Sequence, residues 1–191
     1  RVKQWQENGT PRWDVGYMEG KVGKEGMPYK RRPELTELKE YGHGPANIWY
    51  ENGQKWWEVN YKDGEVDGLA TRWYENRQKH YEANYKDGIE DGLKTYWYEN
   101  GQKREEGNLK DGKRDGLRTT WFENGQKWEE GNWKEGEKEG LWTNWHENGR
   151  KNKEGNYKDG KRDGLWIYYK EDGTEWIRTR MKDGNEVGVV D

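Results

Sequence analysis

The segment Trp97-Tyr98-Glu99-Asn100-Gly101-Gln102-Lys103 recurs with small changes every 24 residues, and this period constrains the possible folds more than any other feature of the chain. Glu-Asn-Gly or a near variant begins at Glu51, Glu75, Glu99, Glu123, Glu147 and Glu171, with no insertion between copies. A second marker, Tyr61-Lys62-Asp63-Gly64, keeps the same step through Tyr85, Leu109, Trp133, Tyr157 and Met181. Another Gly follows each at 68, 92, 116, 140, 164 and 188. A fixed period of this length belongs to solenoids, propellers and arrays, in which each unit buries its surface against its neighbours.

Each unit holds two strand-like runs. In 141–164 the first is Leu141-Trp142-Thr143-Asn144-Trp145-His146 and the second runs from Lys151 to Lys158. Residues at odd positions recur from unit to unit (Leu141, Thr143, Trp145, then Gly155, Tyr157), so both runs are expected to bury their odd side. A three-residue loop, Glu147-Asn148-Gly149, with Gly in the left-handed position, keeps those sides together. Arg77 replaces that Gly in one unit and should strain it. The second connection is expected to be the turn Asp159-Gly160-Lys161-Arg162-Asp163-Gly164. Gly107, Gly131 and Gly155, where earlier units carry Val59 and Ala83, are expected to lie beneath a ring from an adjacent strand. The expected fold is all-β: an elongated antiparallel meander of β-hairpin repeats, about sixteen short strands in all.

Composition sharpens this. The chain is 28% hydrophobic and 38% charged, values that without the period would indicate disorder. Fourteen Trp and thirteen Tyr against one Phe mean that the core is built from rings. The 35 basic and 38 acidic residues are interspersed, so no basic stripe is available to track a phosphate backbone, and nucleic acid is not an expected partner. No apolar run approaches the roughly 18 residues of a membrane span, and no secretory leader opens the sequence. Without Cys there is no disulfide or thiolate chemistry. The cytoplasm is slightly favoured over a secreted or surface location.

Six units run in register over 45–188, followed by a tail at 189–191, and residues 1–44 read as degenerate N-terminal capping repeats. Within them Trp5-Gln6-Glu7-Asn8-Gly9 and Tyr17-Met18-Glu19-Gly20 reproduce the spacing of Trp49 to Gly64. Residues 27–44 are either a shortened repeat or an inserted loop with a short helix at Glu34–Glu40, since Pro28 and Pro33 break local structure.

The pattern Glu154-Gly155-Asn156-Tyr157-Lys158-Asp159-Gly160-Lys161-Arg162-Asp163-Gly164-Leu165-Trp166 resembles the MORN repeat, in its bacterial variant with Tyr-Glu-Asn-Gly turns. The resemblance covers 45–188 well and 1–44 weakly. It implies a β-hairpin array that serves as an interaction or scaffold surface, antitoxin-like or immunity-like in some bacterial proteins and tied to lipid or protein binding in others.

Nothing in the sequence points to catalysis. His43, His80 and His146 fall at three different repeat positions, which argues against a shared metal site. Glu106 has equivalents at Glu58, Glu82, Glu130 and Glu154, as a framework residue would, whereas a catalytic group is unique in its array. Asp-Gly-x-x-Asp-Gly could suggest calcium, but the intervening Lys or Arg opposes a cation. No enzyme activity, cofactor or metal is expected. Function is best sought where units differ. One position reads Trp56, His80, Arg104, Trp128, Asn152, Trp176, and another reads Ala70, Lys94, Arg118, Trp142, Trp166. Both fall on the even side, expected to face solvent, where Trp and Arg are favoured interface anchors. The candidate binding residues are therefore Trp56, His80, Arg104, Trp128, Trp142, Trp166 and Trp176. A protein partner is the leading expectation. A glycan-binding or lipid-binding surface and a structural subunit of a larger assembly are the alternatives.

Overall fold

The computed structural model describes residues 4–5, 11–14, 43–50 and 52–190, so the two readings of 27–44 and most of the capping-repeat assignment lie outside the described residues. Every regular element among the described residues is a β-strand. The chain divides into two compact units, Arg1–Asp91 and Gly92–Asp191.

Unit 1 contains β1 (Gln4–Trp5), β2 (Pro11–Asp14), β3 (His43–Trp49), β4 (Lys55–Lys62), β5 (Glu65–Val66), β6 (Gly68–Trp73) and β7 (Lys79–Lys86). Strand β8 (Ile89–Trp97) crosses the division. Unit 2 continues with β9 (Lys103–Lys110), β10 (Lys113–Trp121), β11 (Lys127–Lys134), β12 (Glu137–Trp145), β13 (Lys151–Lys158), β14 (Lys161–Tyr169), β15 (Glu175–Lys182) and β16 (Asn185–Val190). Within unit 2 each strand pairs antiparallel with the next, as a meander requires. Unit 1 does the same from β3 to β7, with β5 and β6 both pairing with β4. The contact of β2 with β3, Trp13 opposite Ala46, is instead parallel.

The Glu-Asn-Gly segments form the expected three-residue loops. Gly149 N–H donates to the His146 carbonyl at 2.9 Å and His146 N–H donates to the Arg150 carbonyl at 2.8 Å, with Gly149 at φ 80°. Arg77 occupies the same left-handed place at φ 71°, which a side chain with a Cβ adopts only under strain. The other connection is tighter than the expected six-residue turn. Lys158 already pairs with Lys161, leaving Asp159 and Gly160 as a two-residue loop at φ 48° and 73°, both positive as the favoured hairpin twist requires.

The expected burial of the odd side on both strands is wrong, and one residue per unit explains why. Beside the loop Trp145 pairs with Lys151, but one step on Asn144 pairs with Lys153, so Asn152 has no opposite number. This β-bulge reverses the parity of everything beyond it. The even side of β12 therefore shares a face with the odd side of β13, and Trp142 lies opposite Gly155. The same one-residue shift occurs at Trp56, His80, Arg104, Trp128 and Trp176.

Both faces of the sheet consequently carry a packed row. In unit 2 the ring face runs Trp133, Trp142, Tyr157, Trp166, each ring edge-on to the next at centroid distances of 5.6, 5.7 and 5.2 Å. The indole N–H groups of Trp142 and Trp166 donate to the carbonyls of Asn132 and Asn156, both at 3.1 Å. Trp142 covers Gly131 and Trp166 covers Gly155 so closely that an added Cβ would sit 2.2 and 2.3 Å from the indole; at Gly107 the covering group is the aliphatic stem of Arg118 rather than a ring. The other face buries Thr95, Thr119 and Thr143. Leu141, expected in the core, is 56% exposed because Gly140 and Leu141 are bulged out of the ladder with β11. In unit 1 the matching core is aliphatic, with Ala46 opposite Val59 and Ala70 opposite Ala83. Beside it Trp57 stacks on Tyr81 at 6.2 Å, with the Arg72 guanidinium 4.1 Å from the Trp57 centroid.

Candidate functional site

One of the positions that vary along the sequence is the bulge residue. It has no opposite number in the ladder, so its identity is released from cross-strand pairing, and the local twist re-aims its side chain. Four of the six side chains lean toward the residue that opens the adjacent loop. Trp56 tilts against Tyr50 with centroids 6.4 Å apart, His80 against Tyr74 at 4.5 Å, and Trp128 against Phe122 at 6.1 Å. Asn152 contacts the His146 ring at 3.2 Å. Trp128 and Trp176 remain 49% and 67% exposed, Arg104 is exposed, and Trp56 and His80 are half-buried.

The loops themselves are fastened between repeats. Asn100, Asn124 and Asn148 donate from Nδ2 to the carbonyls of Glu123, Glu147 and Glu171 at 2.8–3.0 Å. Tyr50 and Tyr98 hydroxyls donate to the carbonyls of Trp73 and Trp121 at 2.7 and 2.8 Å. The bulge residues thus stand on a tethered edge, which limits the entropy lost on binding.

Trp142 and Trp166 do not belong to this surface. Each is only 1% exposed, because the bulge turns their even side onto the ring face and the facing glycines leave room for an indole. Their expected solvent-facing role is overturned. The position they share is filled by the buried Ala70 in unit 1 and by the half-buried Lys94 and the mostly buried Arg118 in unit 2.

Arg118 is the centre of an ionic cluster that sequence reasoning did not single out. With its side chain 14% exposed, it donates from Nε to Glu105 Oε1 at 2.8 Å and from a terminal nitrogen to Glu129 Oε1 at 3.2 Å. Lys138 and Asn144 reach Glu129 Oε2, both at 3.2 Å, and Arg114 approaches Glu105 at 3.5 Å. Burial works to raise the Glu105 pKa, but the Arg118 hydrogen bond and the charges of Arg118, Arg114 and Lys94 outweigh it and hold the carboxyl below its usual range. Burial likewise opposes the charge on Arg118, and the two glutamates more than restore it. Farther along the face the Lys153 ammonium is held below its usual value by burial and by Arg162 and Lys138.

Beside this cluster lies a cavity of about 200 Å³ lined by Lys94, Tyr96, Arg104, Glu105, Arg114 and Arg118, with Gly107 at its wall. Arg104 lies 5.1 Å and Lys94 5.4 Å from the Tyr96 centroid. Arg104 is therefore both a bulge residue and a cavity wall. The signal for this site was in the sequence as the charge step at one core position, Ala70, Lys94, Arg118, set against Gly107.

Among the described residues no cluster of three or more His, Asp or Glu could hold a metal ion, and no helix is long and apolar enough to cross a membrane. His43 lies 3.2 Å from Asp63, while His80 and His146 pack beside Tyr74 and Asn152.

Four segments, residues 42–63, 90–111, 114–135 and 138–159, match the MORN repeat variant family. Each ends on the acidic residue of a two-residue loop, Asp63, Asp111, Glu135 or Asp159, so the matched period and the structural period coincide. No curated protein matches the chain.

Proposed function

We propose that this array is a non-enzymatic scaffold that binds a protein partner along the edge formed by the bulge residues of unit 2. MORN-type repeats are consistent with a scaffold or binding role in general. The observation that supports a protein partner is the pair of exposed indoles, Trp128 and Trp176, held beside loops that are hydrogen-bonded from repeat to repeat. Large rigid rings on a pre-organised support are what interface hot spots consist of. In its most specific form the partner is a toxin that the array neutralises in a bacterial cell, as the sequence resemblance suggests.

The test is affinity purification from the native source, run in parallel with Trp128→Ala and Trp176→Ala. The proposal expects one stoichiometric protein whose retention falls about tenfold or more in the variants while their thermal unfolding is unchanged. Retention on glycans or liposomes with no protein partner would overturn it, as would a partner indifferent to both indoles.

A further inference from the structure

We infer that the cavity walled by Lys94, Arg104, Arg114 and Arg118 is a binding site for a soluble phosphate monoester. Its lining carries three arginines, Arg104, Arg114 and Arg118, against one carboxylate, Glu105, an excess of two guanidinium charges in a chain whose formal net charge is −3. Glu129, the next carboxylate along, is shared between Arg118 and Lys138, each 3.2 Å away, so the charge it takes from the wall is balanced by the Lys138 it brings with it. Like charges are not gathered at a half-buried wall without cost, and a bound anion relieves it.

The number and shape of the charges select among anions. A carboxylate would match only one of the two excess guanidinium charges, whereas a phosphate monoester brings about −1.5 to −2 near neutral pH together with three acceptor oxygens. Guanidinium groups present paired donors that match such oxygens two at a time. Arg118 is fixed in place by Glu105 and Glu129 and so acts as a rigid floor. Arg104 and Arg114 are exposed enough to turn toward a ligand, and Tyr96 supplies an aromatic wall for the organic portion. At about 200 Å³ the cavity holds the phosphoryl group with a few attached carbons and has no space for a large substituent. Gly107 is what opens it: an added Cβ there would lie 3.3 Å from the Arg118 stem.

This site is independent of the protein-binding proposal, because small soluble probes test it. Phenyl phosphate titrated calorimetrically into the full chain at low salt should show one saturable site, displaced by inorganic phosphate. Arg104→Gln and Arg114→Gln, at exposed positions outside the Arg118 clamp, should each weaken it about tenfold or more, with folding checked by circular dichroism. Affinity should rise several-fold as pH goes from 5.5 to 7.5, because the second phosphate ionisation lies near pH 6, while phenyl sulfate should show no such rise. No saturable binding up to about 10 mM would overturn the inference. So would binding unchanged in both variants, or binding confined to phosphatidic acid vesicles with none to phenyl phosphate.

Discussion

Units 1 and 2 fill the same space between strands in two different ways. In unit 1 the opposed core positions hold two small side chains, Ala70 and Ala83, or Ala46 and Val59. In unit 2 the volume is moved to one partner, Trp142 over Gly131 and Trp166 over Gly155. Strand spacing is fixed by backbone hydrogen bonds at about 4.8 Å, so the pair rather than either residue is the unit of fit. The aliphatic pairs tolerate a methyl more or less. The indole pairs bury far more apolar surface and are correspondingly intolerant, since the glycine can accept no added atom.

The sharpest way to break this comparison is Trp166→Ala, which should cost about 3–5 kcal/mol in urea unfolding. A loss near zero would place the ring outside the core. Gly155→Ala should cost about 1–3 kcal/mol by overpacking, and Gly155→Ala combined with Trp166→Ala should cost less than the sum of the two, since the pair then resembles Ala70 and Ala83. Strict additivity would mean that the glycine and the indole are not a coupled pair.

The two units should also differ in their response to acid. Glu105 in unit 2 has a folded-state pKa below its ordinary value of 4.5, so the stability it contributes is fully present above that value and is lost as pH falls through the lower, folded one. Glu105→Gln should lower stability by about 1–2 kcal/mol at neutral pH and flatten its decline in acid. An unchanged pH profile would show that Arg118 is held by Glu129 alone. In unit 1, Arg77→Gly should gain up to about 1 kcal/mol by relieving the left-handed residue that the corresponding loops of unit 2 assign to glycine. Trp176→Ala should change stability by no more than about 0.5 kcal/mol, in contrast to Trp166→Ala.

Much of this was legible in the sequence. The period located the hairpins among the described residues from 43 onward, Glu-Asn-Gly specified a three-residue loop, and the glycines at 131 and 155 announced an overlying ring. The faces were not legible, because period-two reasoning assumes an unbroken ladder. The sign that it is broken is the Lys-x-x-Glu spacing of Lys55–Glu58, Lys127–Glu130 and Lys151–Glu154, whose members form ion pairs at 2.7, 2.5 and 2.6 Å. In a regular strand residues three apart point to opposite faces, so a recurrent pair at that spacing requires an extra residue between them. The last unit reverses the charges, Glu175 with Arg178, and keeps the spacing. The cavity was harder to foresee, since it depends on which strands lie beside Gly107.

The bulge gives position 152 and its equivalents an unusual mutational character. Substitution there is cheap, since the residue has no opposite number in the ladder, and Trp, His, Arg and Asn have all been accepted. Deletion should be tolerated in the same way. Without Asn152 the pairs Trp145–Lys151 and Asn144–Lys153 become consecutive in a regular ladder, so Glu154 stays opposite Thr143 and Gly155 stays opposite both Trp142 and Trp166. What its loss removes is the local twist that aims a side chain along the loop edge, so single-residue gaps in such repeats should collect at the bulge and spare the strands on either side of it.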